Sequence, residues 1–323
     1  MMTFPEKKAL FESRRQSSES ALLRFDGVDG FDVYNCSVPF DFEGHTYLFG
    51  RVEKRSEWAR SHTRLFRLIG PDHYAAVEGS MMYPLEDPYI SQVRGSWVMG
   101  GTHVVRSAGK LSHLYAYFYA GQNPYDLDYF TTGPVNMKDI RLVELAHGIG
   151  VFSRPRSEQV LKQYGSESVV GFTIVDDLLH LTSDVIQDAP VISNMFAPDE
   201  WGGCNQCYLL DSSLIGIIGH RSYAQADKDG TVLAVYANVS FVFDPKAHRI
   251  VDEKIIATRA SFPQAPAKKP ELVDCAFASG IRVRPDGRFD LYSGVGDTCQ
   301  GRTVIDDPFK GFGQLRQGMM SDK

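Results

Sequence analysis

Five short polar clusters carry the side chains best suited to chemistry: Asn35-Cys36-Ser37, Glu86-Asp87-Pro88, Lys138-Asp139-Ile140, Gly203-Cys204-Asn205-Gln206 and Ala278-Ser279-Gly280. Each is followed by a tight turn and an apolar strand. The strands run out into Arg51 and Glu53, His103 and Arg106, Arg154 and Arg156, His220 and Arg221, and Asp297. A carboxyl such as Asp87 can deliver a proton to a departing oxygen. Arginines and histidines, helped by a hydroxyl such as Tyr223, can hold an oxyanion. Amides, carboxylates and Arg51 offer the paired acceptors and donors that sugar hydroxyls need. Asp-Pro often marks only a turn. Here it opens a predicted central strand, where a turn would be out of place.

The elements that must position these groups are strands. Leu114-Tyr115-Ala116-Tyr117-Phe118-Tyr119 and Ala234-Val235-Tyr236-Ala237-Asn238-Val239 are rich in aromatic and β-branched residues. Turn signals recur at Glu43-Gly44, Arg94-Gly95, His147-Gly148, Asp211-Ser212-Ser213 and Pro285-Asp286-Gly287. Helical periodicity is scarce, with Ser157 to Tyr164 a short candidate. Clusters repeating at roughly 50 residues or more are what a β-propeller produces, each blade sending one polar cluster to the axis. The expected fold is all-β: a five-bladed β-propeller with a short N-terminal helix. One domain covers 1–323, with blades near 30–80, 81–133, 134–198, 199–262 and 271–323.

The 323 residues are 43% hydrophobic and 23% charged, enough for a large core. A net charge of -6 with no dense basic run argues against nucleic acid as a partner. No apolar run approaches the roughly 20 residues that span a bilayer. Met1 to Ser17 is charged, lacks a signal-peptide apolar region and reads as an amphipathic helix with Leu10 and Phe11 as its contacts. Five scattered cysteines suggest reduced thiols in a cytoplasmic setting. Cys204 and Cys207 form a C-x-x-C without a second pair, so they read as packing thiols, and no metal or other cofactor is expected. Asp227-Lys228-Asp229-Gly230 reads as a hairpin turn and Pro263 to Pro270 as a surface connection.

Certain motifs stand in a fixed order. Glu86-Asp87-Pro88-Tyr89 precedes a turn and strand, and Lys138-Asp139 leads to Ser153-Arg154-Pro155. Gly219-His220-Arg221 is followed by an apolar strand over 233–243 and then Asp244-Pro245. A last strand ends in Gly294-Val295-Gly296-Asp297. Over about residues 30 to 305 this order resembles the inverting β-mannoside phosphorylases, which are five-bladed propellers. Their pattern reads E-D-P-R, K-D then H-R-P, Y-H-G then D-P, and G-A-A-D. Within them the chain is most similar to a subgroup first known as a domain of unknown function. That subgroup includes β-1,2-mannosyltransferase/phosphorylases of trypanosomatid parasites.

The resemblance implies roles. Asp87 is the general acid, its proton passing through a hydroxyl of the acceptor sugar. Arg106 and His220 match phosphate-binding positions of the pattern. By charge and donor type alone, Arg154, Arg156, Arg221 and Tyr223 are further phosphate candidates, and Asn35, Arg51, Asp139, Asn205, Gln206 and Asp297 suit sugar hydroxyls. The implied reaction is reversible, inverting transfer of mannose between mannose-1-phosphate, or GDP-mannose, and β-1,2-oligomannosides, with inorganic phosphate as co-substrate. Hydrolases of this clan place a carboxylate in the first blade and commonly another later. Here Asn35 and Asn205 stand in those clusters, and an amide cannot take a proton from water. Three features depart from the pattern. Tyr89 replaces the Arg of E-D-P-R, Glu200-Trp201-Gly202-Gly203 lacks a sugar-binding lysine, and a second phosphate arginine has no clear counterpart before Lys138. Trp201, Tyr89 and Trp97 could stack on sugars or simply pack in the core. Two other readings stand beside this one. A clan hydrolase acting on arabinose or fructose polymers would not depend on phosphate. A non-catalytic propeller would bind glycan or protein.

Overall fold

The computed structural model describes residues 2–15 and 18–316. The chain is a five-bladed β-propeller with one N-terminal helix. Blade 1 is built on Asp32–Tyr34, His45–Glu53, His62–Gly70 and His73–Ala76. Blade 2 uses Glu86–Val93, Ser96–Ser107, Lys110–Gly121 and Asp128–Thr132. Blade 3 has three strands, Arg141–Glu144, Ile149–Ser153 and Gly171–Val175. Blade 4 uses Glu200–Leu209, Ile215–Ala226, Val232–Asp244 and Arg249–Ala257. Blade 5 runs Ala276–Val283, Phe289–Val295 and Cys299–Ile305, and takes its fourth strand, Ser20–Leu22, from the N-terminal side. Ala21 pairs with Arg302 there, closing the ring. The expected last blade extended to 323, and residues 317–323 lie outside the described residues.

Local chemistry explains the hairpins. Glu43-Gly44 and Arg94-Gly95 both have positive φ at both positions, as a two-residue turn matched to strand twist requires. Asp227-Lys228-Asp229-Gly230 closes a hairpin through Gly230 N–H to Asp227 O at 3.0 Å. Between blades, aromatic layers fill the gaps. Phe40 packs on Trp97 at 4.8 Å, and Phe172 lies 4.8 Å from both Phe152 and Phe243. Burying each such ring stabilises by about 1.5–3 kcal/mol. Cys204 and Cys207 are buried in the same core as Phe152, Phe172 and Phe243.

The axial ends of the blades are irregular at the polar clusters. Register slips between Glu86 and Tyr89, between Cys204 and Gln206, and between Ala278 and Gly280. Asn35, Asp87, Asp139 and Asp297 have φ of 45, 49, 57 and 54. Asn and Asp adopt this left-handed region more readily than other side-chain-bearing residues. Each bulge or kink re-aims a side chain. The residue types that do chemistry are thus also those that tolerate the backbone presenting them.

One expectation needs correction. The N-terminal helix, Phe4–Arg14, is capped by Thr3 and Glu6, but its anchor is Phe4, 2% exposed. Phe4 meets the Tyr223 ring edge-on, and Lys8 Nζ donates to Asp274 at 2.8 Å. Leu10 and Phe11 stay half-buried. The stretch from Pro263 to Pro270 is a surface connection, but one tied down as a strap. Its prolines bring carbonyls without matching donors. Arg259 collects the carbonyls of Phe262, Pro263 and Ala265, and Thr298 donates to that of Pro266 at 2.6 Å.

Candidate active site

At the axis a cavity of about 340 Å³ gathers side chains from every blade. On one side lies a carboxylate group around Arg51. Arg51 Nη1 and Asn35 Nδ2 each donate to Asp87 Oδ1 at 2.9 Å. The same Asn35 amide reaches Asp297 Oδ1 at 3.3 Å. Arg51 Nη2 lies 2.9 Å from Glu53 and 3.2 Å from Glu86. Asp87 Oδ2 faces Lys138 Nζ at 3.9 Å and is the oxygen free for a ligand. Gly294 is required here, because a Cβ would stand 1.8 Å from Asn35 Oδ1.

The opposite wall is cationic. Arg154 is locked by Asp139 and by the Gly202 carbonyl at 2.6 Å. Arg156 lines the cavity with no ionic partner among the described residues. His220 Nδ1 lies 2.8 Å from Asn205 Oδ1, which makes Nδ1 the protonated nitrogen. His220 Nε2 and Asn205 Nδ2 are buried and have no partner among the described residues. Buried polar atoms rarely stay unpaired, so these two mark a place for a ligand.

Charge balance separates the groups. Burial raises the Asp297 carboxyl, and Asp87 adds to this against Arg51 and Asn35. Burial likewise raises Glu86. For Asp139, burial is outweighed by Lys138, Arg154 and Arg141, which hold it well below the usual carboxylate range. Glu53 is opposed by burial yet held down to about 2 by Arg51, Lys268 and Tyr34. Burial, with Arg154 beside it, keeps His220 neutral. Arg156 is exposed as a residue, yet partial desolvation, and then Arg154 beside it, lower it.

Of the expected residues, Asn35, Arg51, Asp87, Arg154, Arg156, His220 and Asp297 line the cavity. Asp139 and Asn205 lie behind it, orienting Arg154 and His220. Four residues sit elsewhere. Gln206 donates to the Ile90 carbonyl at 3.0 Å, tying blade 4 to blade 2. Arg221 points to the other face of its strand from His220, held by Glu200 and Glu253 over the Phe4 ring. Tyr223 shares that face. Alternation of side chains along the strand produces this split. Arg106 donates to the carbonyls of Trp58, Ala59 and Gly109 and so clamps a loop. The phosphate role expected for these three is corrected accordingly. Of the aromatics, Trp201 lines the cavity, Trp97 is core, and Tyr89 is buried beneath Arg141 at 4.5 Å.

Sequence reasoning missed Lys138, Tyr236, Lys268 and Trp58 as cavity residues. Lys138 belongs to a cluster already singled out, so its signal was present. Trp58 sits in a loop with no motif, and Lys268 in the strap.

A family model described as "Protein of unknown function (DUF1861)" matches residues 9–311. The chain belongs to the DUF1861 family. This DUF1861 protein is 46% identical to a mannose phosphorylase from Leishmania mexicana, MPT-4, solved with a phosphate ion. That match has a TM-score of 0.93 and covers 98% of this chain and 96% of that one. It is 45% identical to MPT-1, a GDP-Man-dependent mannosyltransferase from Leishmania mexicana, with a TM-score of 0.92, covering 99% of this chain and 100% of that one. A glycosyl hydrolase from Bacteroides ovatus shares the fold at 15% identity and a TM-score of 0.60, covering 94% of this chain and 97% of that one. No curated protein matches the chain.

Proposed function

We propose that this DUF1861 protein transfers mannose, with inversion, between mannose-1-phosphate and β-1,2-linked oligomannosides, GDP-mannose being an alternative donor. One observation carries the reading. A single cavity sets Asp87, one carboxyl oxygen of which only faces Lys138 at 3.9 Å, against a wall where, among the described residues, Arg156 has no ionic partner and His220 Nε2 no hydrogen-bond partner. The relative solved with phosphate supports phosphate as a ligand, and the GDP-Man-dependent relative supports a mannosyl donor.

In phosphorolysis a phosphate oxygen attacks C1 of the terminal mannose as the glycosidic C–O bond breaks. Asp87 supplies the proton to the departing oxygen, directly or through an acceptor hydroxyl. In synthesis Asp87 takes the proton of the attacking hydroxyl and phosphate leaves. Arg156 and Lys138 hold the anion with Arg154, and neutral His220 accepts a hydroxyl through Nε2. Asp297 and Asn35 position the sugar. The free thiols of all five cysteines support a reducing, cytoplasmic setting.

Asp297 and Glu167 also line the cavity, which favours a hydrolase as the second reading. Incubation with β-1,2-mannobiose separates the two. Mannose-1-phosphate forming only when phosphate is present supports transfer. Free mannose released equally without phosphate supports hydrolysis.

A further inference from the structure

At the mouth of the cavity Trp58 is 54% exposed, unusual for a tryptophan on a short loop. The loop is not loose. Arg106 Nη2 donates to the carbonyls of both Trp58 and Ala59, the latter at 3.1 Å, and Arg106 Nη1 to that of Gly109 at 3.0 Å. Ala59 is held at φ 55, a strained conformation for alanine. Arg60 N–H donates to Glu53 Oε1 at 3.2 Å, while Glu53 Oε2 receives Lys268 of the strap at 2.6 Å. The loop and the strap are therefore built on the same buried carboxylate. The next strap residue, Lys269, places its ammonium 4.8 Å from the centre of the Trp58 ring. Glu271 and Leu272 continue the rim.

We infer that Trp58 is the stacking platform for acceptor saccharide units beyond the one that reacts, and that Arg106 is its positioning residue. This deepens the proposed function and rests on it for the identity of the sugar. A rigid aromatic face at a cavity mouth matches the apolar face of a pyranose, and Lys269, over the Trp58 ring, and the cavity-lining Glu271 offer hydroxyl partners.

The experiment compares the parent with Trp58→Ala, Trp58→Phe and Arg106→Ala on β-1,2-linked mannose dimers, trimers and tetramers. Binding is followed independently by tryptophan fluorescence without phosphate. The expected result is an acceptor KM raised roughly 3- to 10-fold by Trp58→Ala, with the effect growing with chain length. Arg106→Ala should move the same constant in the same direction, leave the phosphate KM at the parent value, and unfold at a similar temperature. Trp58→Phe should restore most of the affinity. The tetramer should quench the parent's fluorescence more strongly than that of Trp58→Ala, in which Trp201 still lines the cavity. Acceptor constants equal to the parent's at every length overturn the inference, as does a defect confined to GDP-mannose, or a parent whose fluorescence no saccharide changes. If quenching is lost with Trp58 but the parent transfers no mannose, the platform stands and the mannosyl-transfer reading falls.

Discussion

Lys268 Nζ lies 2.6 Å from Glu53 Oε2, and the two side chains are 3% and 0% exposed. This pair fastens the strap between blades 4 and 5 to the end of a blade 1 strand. It also joins the network that holds Arg51, since Glu53 receives Arg51 Nη2 at 2.9 Å. The catalytic carboxylates and the mouth of the cavity therefore share one buried hub.

Lys268→Met should destabilise the fold by about 3 kcal/mol, because it leaves a buried carboxylate short of a cation. The Glu53 carboxyl sits lower in the folded state, at about 2, than its ordinary value of 4.5. Its contribution to stability is therefore full above 4.5 and is lost as pH falls through about 2. Urea unfolding across that pH range checks both points. A variant as stable as the parent at pH 7 would remove the hub.

Asp87→Asn should lower transfer by about 10²–10⁴-fold while leaving the melting temperature near the parent's. The amide keeps the acceptor oxygen that Arg51 and Asn35 use but has no proton to transfer. Mannose-1-phosphate formation and thermal unfolding measure the two effects. Turnover close to the parent's would take Asp87 out of the mechanism.

Arg156→Ala should raise the phosphate KM by about 10- to 100-fold, corresponding to about 1.5–3 kcal/mol for a charged hydrogen bond. Its folding should be unaffected, because among the described residues it has no ionic partner to orphan. Arg154→Ala should weaken phosphate binding and also stability, because it strands the buried Asp139 carboxylate. Phosphate titrations with both variants distinguish a ligand-only arginine from one that also supports the wall.

Asp297→Asn should stabilise the protein at pH 7 while impairing sugar binding. Burial raises the Asp297 carboxyl, so its ionisation opposes folding. The stability associated with such a group is fully present below its unfolded pKa, ordinarily 3.8, and is lost as pH rises through the folded value. The gap in melting temperature between variant and parent should close as pH falls below 3.8. Asparagine also suits the φ of 54. A variant less stable than the parent at pH 7 would contradict this account.

Gly294→Ala should cost about 1–3 kcal/mol and most of the activity. The added methyl would strike the Asn35 side chain and its backbone nitrogen, at 1.8 and 2.9 Å. Asn35 would then lose its shared bonds to Asp87 and Asp297. Activity and unfolding should fall together here, unlike in Asp87→Asn.

The blade repeat, the two-residue hairpins and the polar clusters were legible in the sequence because they rest on local rules. A two-residue turn needs positive φ, a strand alternates, and an axial kink favours Asn or Asp. Asn35 and Asp87 were picked out as members of the polar clusters and Asp297 as the residue beyond the last strand, and the three line one cavity. Tertiary structure alone decided the rest. Alternation states that His220 and Arg221 face opposite ways but not which one faces the cavity, and each bulge shifts the count by one. Arg106 shows the same limit, since its charge was visible but not the loop whose carbonyls it collects. Lys268 sits in a stretch whose composition reads as exposed, and its burial depends on Glu53 more than 200 residues away. The closing strand Ser20–Leu22 is too short to be read locally, since its partners are the far end of the chain. What local rules specified was which residues can bend the backbone and carry chemistry. Which of them share a cavity was set by contacts between blades, whose energies depend on neighbours distant in the chain.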